Sequence, residues 1–202
     1  MFKFIFTIYN NIKRYKFSIF YYMFDIKENS ALLVIDLQND FYLDGTIPII
    51  KDKTFIENVN LIIEQFIKKN KKIIFTKDWH PIDHVSFKKW PIHCIQNSNG
   101  AKIISAINQS KIDLLIEKGI DKNIENYSAF FISDDSSGLK EFLFKQNIEN
   151  LYIIGIVAEY CIKFTVIDAI SMGFNVYLLQ KGIISEKKDF DLVNISSKVN
   201  II

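Results

Sequence analysis

From residue 31 onwards, the chain alternates short apolar runs with stretches in which apolar residues recur at helical spacing. The short runs have the length and the unbroken hydrophobicity that are typical of parallel strands buried on both faces. This pattern predicts five strands and a short sixth one near the end of the chain. The predicted strands cover residues 31–36, 73–76, 112–117, 151–156, 174–179 and 198–202.

Helices are predicted between these strands, at residues 55–67, 139–145 and 160–172. Strands that alternate with helices indicate an α/β fold, here a three-layer α/β/α sandwich with a mainly parallel, Rossmann-like sheet of about six strands. Binding sites in such sheets lie beyond the carboxyl ends of the strands. Four chemically distinctive residues fall at or just past predicted strand ends: Asp36, Asp78, Lys118 and Cys161.

Composition narrows the class of protein. A length of 202 residues suits one domain, and a net charge of +2 without a lysine-rich arm argues against a nucleic-acid partner. The two cysteines, Cys94 and Cys161, cannot form a disulfide framework, so a reducing, cytoplasmic location is expected. The sequence leaves a homo-oligomer open.

Residues 1–30 differ from the rest and are interpreted as an N-terminal extension to a domain at 31–202. The segment is aromatic and apolar, but lysines and an arginine interrupt it, and no apolar run approaches the roughly 20 residues that span a bilayer. No transmembrane segment is therefore expected. Two interpretations stay open, a basic helix on a membrane surface and a stretch upstream of a start at Met23.

All three histidines of the chain fall within one short segment, residues 80–93. Together with Asp78 they predict a site for one divalent transition metal ion such as Zn, Fe or Mn, since carboxylate and imidazole groups suit these ions. Asp78 and His80 alternate, so an extended chain points both side chains the same way. His93 could close the site, whereas His84 is the open member, a ligand or only an orienting group.

Cys161 is the candidate nucleophile because it lies between a predicted buried strand and a predicted helix. A cysteine in the first helical turn is exposed to the positive end of the helix dipole, and a nearby ammonium such as that of Lys118 would lower its pKa further. Asp36 could accept and return the proton. A buried structural cysteine is the alternative, and Cys94 is interpreted in that way.

Several segments in sequence order resemble the nicotinamidase branch of the isochorismatase-like hydrolases. The matching segments are 34–41 (VIDLQNDF), 78–81 (DWHP), 84–87 (HVSF), 90–94 (WPIHC), 97–101 (NSNGA), 118–119 (KG), 127–130 (YSAF) and 155–161 (GIVAEYC). The resemblance covers roughly residues 31–179. The connection between Phe87 and Trp90 is only two residues long, which leaves a fourth protein ligand of the metal open.

The resemblance implies a role for each of these residues. The implied catalytic triad is Asp36, Lys118 and Cys161, and the implied metal ligands are Asp78, His80 and His93. The implied aromatic pocket for the substrate ring consists of Phe41, Trp90 and Tyr127. A cis peptide bond between Val157 and Ala158 is also implied, with the N–H groups of Ala158 and Cys161 forming an oxyanion hole.

The resemblance further implies hydrolysis of nicotinamide, with pyrazinamide as a second substrate, through a thioester on the cysteine and as a step of NAD salvage. A related hydrolase of ureido or carbamoyl compounds is the first alternative. Those enzymes generally lack the Asp-Trp-His-Pro segment, which argues against them here. An inactive metal-binding module is the second alternative, and the joint presence of all three triad residues argues against it.

Overall fold

The computed structural model describes residues 24–187 and 195–202. The strands are β1 Ser30–Ile35, β2 Lys72–Asp78, β3 Leu114–Lys118, β4 Asn150–Gly155, β5 Asn175–Ile183 and β6 Val199–Ile201. They form one sheet in the order β3-β2-β1-β4-β5-β6, and all five pairings are parallel. The chain order reverses between β1 and β4, where an open α/β sheet forms a crevice at its carboxyl edge.

Three α-helices cover the two faces of the sheet: α1 Lys53–Lys68, α2 Leu139–Lys145 and α3 Lys163–Ser171. The side chain of Asp52 caps α1 by accepting a hydrogen bond from the N–H of Thr54 at 2.8 Å. The predicted helix 160–172 begins differently from a regular helix, since a π-helical turn, Ala158–Ile162, precedes α3. Such turns occur often at functional sites.

The side chains of β1 explain why its sequence is apolar throughout. Leu32 and Val34 pack into the core on the α1 side, whereas Leu33 and Ile35 pack into the core on the side of α2 and α3. Alternate residues of a strand point to opposite faces of the sheet, so a strand between two helical layers needs hydrophobic residues at every position. The predicted three-layer α/β/α fold is confirmed.

Strand boundaries differ from the prediction by a few residues, and the differences in β2 and β3 concern the site. β2 continues past Thr76 to Asp78, and β3 begins at Leu114 and reaches Lys118. Asp113 does not join the strand, because its carboxylate accepts a hydrogen bond from the N–H of Ile73 at 2.9 Å. As a result, Asp78 and Lys118 are register partners in neighbouring strands.

Residues 1–23 of the proposed N-terminal extension, including most of the possible membrane-surface helix, lie outside the described residues. Residues 24–30 pack against the domain: Ile26 is buried, and the hydroxyl of Tyr152 donates to the carbonyl of Asp25 at 3.1 Å. Among the described residues, no helix is long and apolar enough to cross a membrane.

Gly155 is a position where the fold excludes any other residue. Its φ is +126°, and a Cβ atom there would lie 2.1 Å from the carbonyl oxygen of Ile35 in β1. We expect Gly155→Ala to lower the free energy of unfolding by roughly 3 kcal/mol, because it combines backbone strain with a backbone clash.

Urea denaturation of both variants would test this, with Gly173→Ala as the matched control. Gly173 also has a positive φ, of +91°, but no atom lies within 4 Å of its added Cβ. Its substitution should cost only the strain, about 1–2 kcal/mol. Equal losses in the two variants would contradict the role of the Ile35 contact.

Candidate active site

Four strand ends bring the candidate residues together at one edge of the sheet. Asp36 follows β1, Asp78 and Lys118 end β2 and β3, and Cys161 lies in the turn after β4. These strands are neighbours in the order β3-β2-β1-β4, so residues far apart in sequence meet at their carboxyl ends. One atom each of Asp36, Asp78 and Cys161 lies within 4.8 Å of the other two.

Lys118 is the centre of this cluster and is completely buried. Its Nζ atom lies 2.9 Å from Oδ2 of Asp36 and 3.4 Å from Sγ of Cys161, and it also donates to Oδ1 of Asp78. A buried ammonium is costly unless opposite charges surround it. The two carboxylates therefore keep Lys118 charged in the interior, and Lys118 in turn keeps them together.

The pKa values divide the two carboxylates into different roles. Burial raises the pKa of Asp36 to about 6, although the charge of Lys118 opposes this. Burial acts on Asp78 as well, yet Lys118, His80 and His93 outweigh it and lower the pKa of Asp78. Burial alone would lower the pKa of Lys118, but the two carboxylates raise it well above its usual range. Asp36 is thus the group suited to exchange a proton near neutral pH.

Asp36 is held with one oxygen fixed and the other available. Oδ1 accepts a hydrogen bond from the hydroxyl of Thr76 at 2.7 Å. Oδ2 faces Lys118 without a well-aligned hydrogen bond, and in the described part of the chain it is the one buried side-chain oxygen or nitrogen of that kind. The φ of Asp36 is +53°, a left-handed conformation that aspartate tolerates better than most residues. A carboxylate oxygen that is ion-paired but not held by a well-aligned hydrogen bond can accept a proton from a nearby thiol.

The state of the Cys161 thiol corrects one prediction. We expected the helix start and Lys118 to lower its pKa, but the structure raises the pKa well above the usual value. Burial is the main cause, and the Lys118 ammonium opposes it without outweighing it, while Asp36 and Asp78 raise the pKa further. The free protein therefore holds a protonated thiol, and a base has to remove its proton before attack.

The structure brings together a candidate metal-binding group, called the metal group below, which consists of Asp78, His80 and His93. One possible ligand atom of each residue lies within 4.8 Å of the others. Nδ1 of His80 lies 3.0 Å from the carbonyl oxygen of Gly119, and Nδ1 of His93 lies 2.7 Å from that of Pro91. A carbonyl oxygen only accepts, so both Nδ1 atoms donate and both Nε2 atoms keep a free lone pair. This donor set fits a divalent transition ion.

Burial supports the same protonation state for His80, because it lowers the pKa of this ring to about 4. Gly119 makes the placement possible: a Cβ atom there would lie 2.4 Å from Cε1 of the His80 ring. The Lys-Gly pair at the end of β3 thus supplies both the central ammonium and the space for a ligand ring.

Both ring nitrogens of His84 form hydrogen bonds outside the candidate metal-binding group. Its Nδ1 accepts a hydrogen bond from the N–H of Ser86 at 3.2 Å, which makes His84 the cap of a short 3₁₀ turn, Val85–Lys88. Its Nε2 lies 3.1 Å from the carbonyl oxygen of Ile124 and donates to it. Both ring nitrogens are engaged, so the open assignment of His84 resolves towards an orienting role.

A pocket opens above Cys161 and the metal group. Its walls include the three aromatic residues expected there, Phe41, Trp90 and Tyr127. Five further lining residues were not predicted from the sequence: Ile47, Ile49, Glu125, Tyr160 and Glu186. Tyr160 directly precedes Cys161, the candidate nucleophile, and could have been inferred from that position. The others lie on loops whose path the hydrophobic pattern does not fix.

The predicted oxyanion hole requires a correction. The cis peptide bond joins Ile156 and Val157, one residue earlier than expected. The N–H of Ala158 donates to the carbonyl oxygen of Ile184 at 3.0 Å, so it is not available to an oxyanion. Val157, by contrast, lines the pocket.

Gln38 is a supporting residue whose role was not predicted from the sequence. Its side-chain oxygen accepts from the N–H of Asp78 at 2.8 Å, and its side-chain nitrogen donates to the carbonyl of Asp78 at 2.7 Å. This amide replaces a strand neighbour at the point where β1 has ended and β2 continues. Its position two residues after Asp36, in a buried segment, is the signal that marks it.

Comparisons with known proteins agree with this geometry. Residues 30–196 match the isochorismatase domain. The nicotinamidase of Escherichia coli is 31% identical over 173 residues, which cover 75% of this chain and 81% of that protein. The crystal structure of Pyrococcus horikoshii pyrazinamidase in complex with zinc superposes with a TM-score of 0.77 at 32% identity, covering 86% of this chain and 98% of that one.

A second similar structure is the crystal structure of PnC1 from L. infantum in complex with nicotinate. It superposes with a TM-score of 0.79 at 26% identity, covering 86% of this chain and 91% of that one. The chain therefore belongs to the isochorismatase family of hydrolases. Within that family it groups with the nicotinamidases and pyrazinamidases, which are amide hydrolases.

The ring tautomers lead to a prediction about the metal group. We expect His80→Ala and His93→Ala to lose bound metal, because each removes one of three donors. His84→Ala is the matched control and should keep its metal, although loss of the cap would cost about 1 kcal/mol of stability.

Metal analysis of the purified variants by mass spectrometry would decide this, with thermal unfolding to confirm that each is folded. Full metal content in the folded His80→Ala variant would contradict the ligand assignment. Loss of metal in folded His84→Ala would show that His84 belongs to the site after all.

Proposed function

We propose that the protein is a metal-dependent nicotinamidase that hydrolyses nicotinamide to nicotinate and ammonia and acts in NAD salvage. The observation that carries the proposal is a single pocket that is lined both by Cys161 and by Asp78, His80 and His93. A linear ureido substrate has no ring nitrogen for a metal to hold. The metal group therefore favours a heteroaromatic amide, nicotinamide or pyrazinamide, over the ureido alternative.

In this proposal Asp78, His80 and His93 hold one divalent transition ion, Zn, Fe or Mn. The chemistry that such an ion supplies is a site for the lone pair of the ring nitrogen, directly or through water. Phe41, Trp90 and Tyr127 then enclose the ring between aromatic surfaces. The carboxamide group is left to face Cys161.

The proton transfers rest on Asp36. Asp36 takes the proton of the Cys161 thiol, and the sulfur attacks the carboxamide carbon. The N–H groups of Val157 and Cys161 are the proposed donors to the oxyanion, with Val157 in place of Ala158. As the C–N bond breaks, Asp36 returns the proton to the departing nitrogen, and ammonia leaves a thioester behind.

The second half of the reaction uses the same groups. Asp36 removes a proton from water, and the hydroxide adds to the thioester carbon. As the C–S bond breaks, Asp36 returns that proton to the sulfur of Cys161, and the released acid ionises to nicotinate. Lys118 stays charged throughout and offsets the negative charge that moves between Asp36 and Cys161. An inactive metal-binding module would need no such cluster, and burial of three charged side chains and a thiol without a function would only lower stability.

The two cysteines offer a direct test. We expect Cys161→Ala to lower ammonia release from nicotinamide by at least about 1,000-fold, because no thioester can form. Cys94→Ala is the matched control, since Cys94 is fully buried in the hydrophobic core and lies outside the pocket lining. Activity in Cys161→Ala equal to that of the Cys94→Ala variant would refute the proposed mechanism.

The pKa of Asp36 gives a second test. A protonated Asp36 cannot accept the thiol proton, so kcat/KM should fall roughly tenfold for each pH unit below the Asp36 pKa of about 6. The hydrogen bond from Thr76 lowers that pKa. Thr76→Val, which keeps the shape and removes the hydroxyl, should therefore move the acid limb to higher pH. A pH–rate profile with an unmoved limb would contradict Asp36 as the base.

A further inference from the structure

Lys89 occupies an unusual position beside the pocket. Its Nζ atom lies 4.9 Å from the ring centroid of Trp90, 4.8 Å from that of Tyr160 and 5.8 Å from that of Tyr127. A cation within about 6 Å of an aromatic face is attracted by the negative charge of that face. One ammonium therefore contacts three rings at once.

The three rings also contact one another. Trp90 and Tyr160 meet edge to face at 5.1 Å, Tyr127 and Tyr160 lie 5.3 Å apart, and Nε1 of Trp90 donates to the Tyr127 hydroxyl at 3.5 Å. All three rings line the pocket, whereas Lys89 does not. Lys89 thus contacts the aromatic wall without occupying the substrate space.

Each ring comes from a different part of the chain. Trp90 belongs to the loop that carries the metal group, Tyr127 to the loop after β3, and Tyr160 to the turn that carries Cys161. The backbone of Lys89 is itself fixed, because its N–H donates to the carbonyl of Ser86 at 2.9 Å within the turn that His84 caps. Lys89 therefore joins the metal side of the pocket to its nucleophile side.

We propose that Lys89 is a positioning residue for the binding of the ring amide: its ammonium holds Trp90, Tyr127 and Tyr160 together as one wall of the pocket. The proposal deepens the proposed function and rests on it. Its consequence is specific to binding, because Lys89 contacts the wall that encloses the ring and not the cluster of Asp36, Lys118 and Cys161.

Kinetics of Lys89→Met would test the proposal, since methionine keeps an apolar stem of similar length and removes the charge. We expect the KM for nicotinamide to rise roughly fivefold to tenfold, the loss expected for several cation–π contacts, with kcat within about twofold of wild type. Lys89→Arg retains a cation that stacks on aromatic rings and should restore the wild-type KM.

Lys88→Met is the matched control, because it removes the same charge from an exposed neighbouring residue. It should leave the KM unchanged. An unchanged KM in Lys89→Met would overturn the proposal. So would a fall in kcat alone, or the same rise in KM in Lys88→Met, which would indicate a general effect of charge.

A second measurement does not depend on catalysis. The chain has two tryptophans, so Trp79→Phe leaves Trp90 as the single fluorophore. In that background Lys89→Met should increase the quenching of Trp90 fluorescence by acrylamide, and Lys88→Met should not. If Lys89→Met increases the quenching but the wild-type protein cleaves no ring amide, the proposed function is refuted and the role of Lys89 in the aromatic wall is kept. Cleavage of nicotinamide with unchanged quenching and KM would refute the role of Lys89 alone.

Discussion

The structure of the site depends on one buried ammonium. Lys118 has no exposed surface, and a lysine in that position is tolerated only because Asp78, from the neighbouring strand β2, and Asp36, from the end of β1 one strand further, pair with it. Each charged group in such a cluster loses its hydration on burial, and only the attraction of its partners offsets that loss. The two contributions to the free energy of folding nearly cancel. The order of the strands places those partners correctly, so that the site forms only when the sheet is complete.

The fold was largely predictable from the sequence for a physical reason. A strand with helices on both sides must be hydrophobic on both faces, and β1 is hydrophobic at every position from Ala31 to Ile35. The ends of the strands were less predictable, because they are decided by single side-chain contacts. The carboxylate of Asp113, just before β3, accepts a hydrogen bond from the N–H of Ile73, and the side chain of Gln38 accepts one from the N–H of Asp78 at the end of β2. Neither hydrogen bond can be recognised from hydrophobic periodicity.

Prediction of the site succeeded for placement and failed for protonation. Strand ends located Asp36, Asp78, Lys118 and Cys161 because the topology of a parallel sheet brings strand ends together. The pKa of Cys161 could not be inferred in the same way. The helix start and Lys118 were visible in the sequence, whereas the burial of the thiol, which outweighs the charge of Lys118, is a property of the folded chain. The prediction of Ala158 as an oxyanion donor was wrong for a similar reason. Only the structure shows that its N–H donates to the carbonyl oxygen of Ile184.

Asp78 has a consequence of its own. One of its carboxylate oxygens bonds to Lys118, and the other faces Nε2 of His80 at 3.9 Å. A single side chain thus belongs to both the charge cluster and the metal group, and the two are thermodynamically linked. A change of charge in the cluster around Lys118 alters the affinity of the His80 ring for a proton. A change of charge on that ring alters proton affinity in the cluster by the same coupling free energy. The charge cluster around Lys118 and the candidate metal-binding residues are therefore coupled through one side chain.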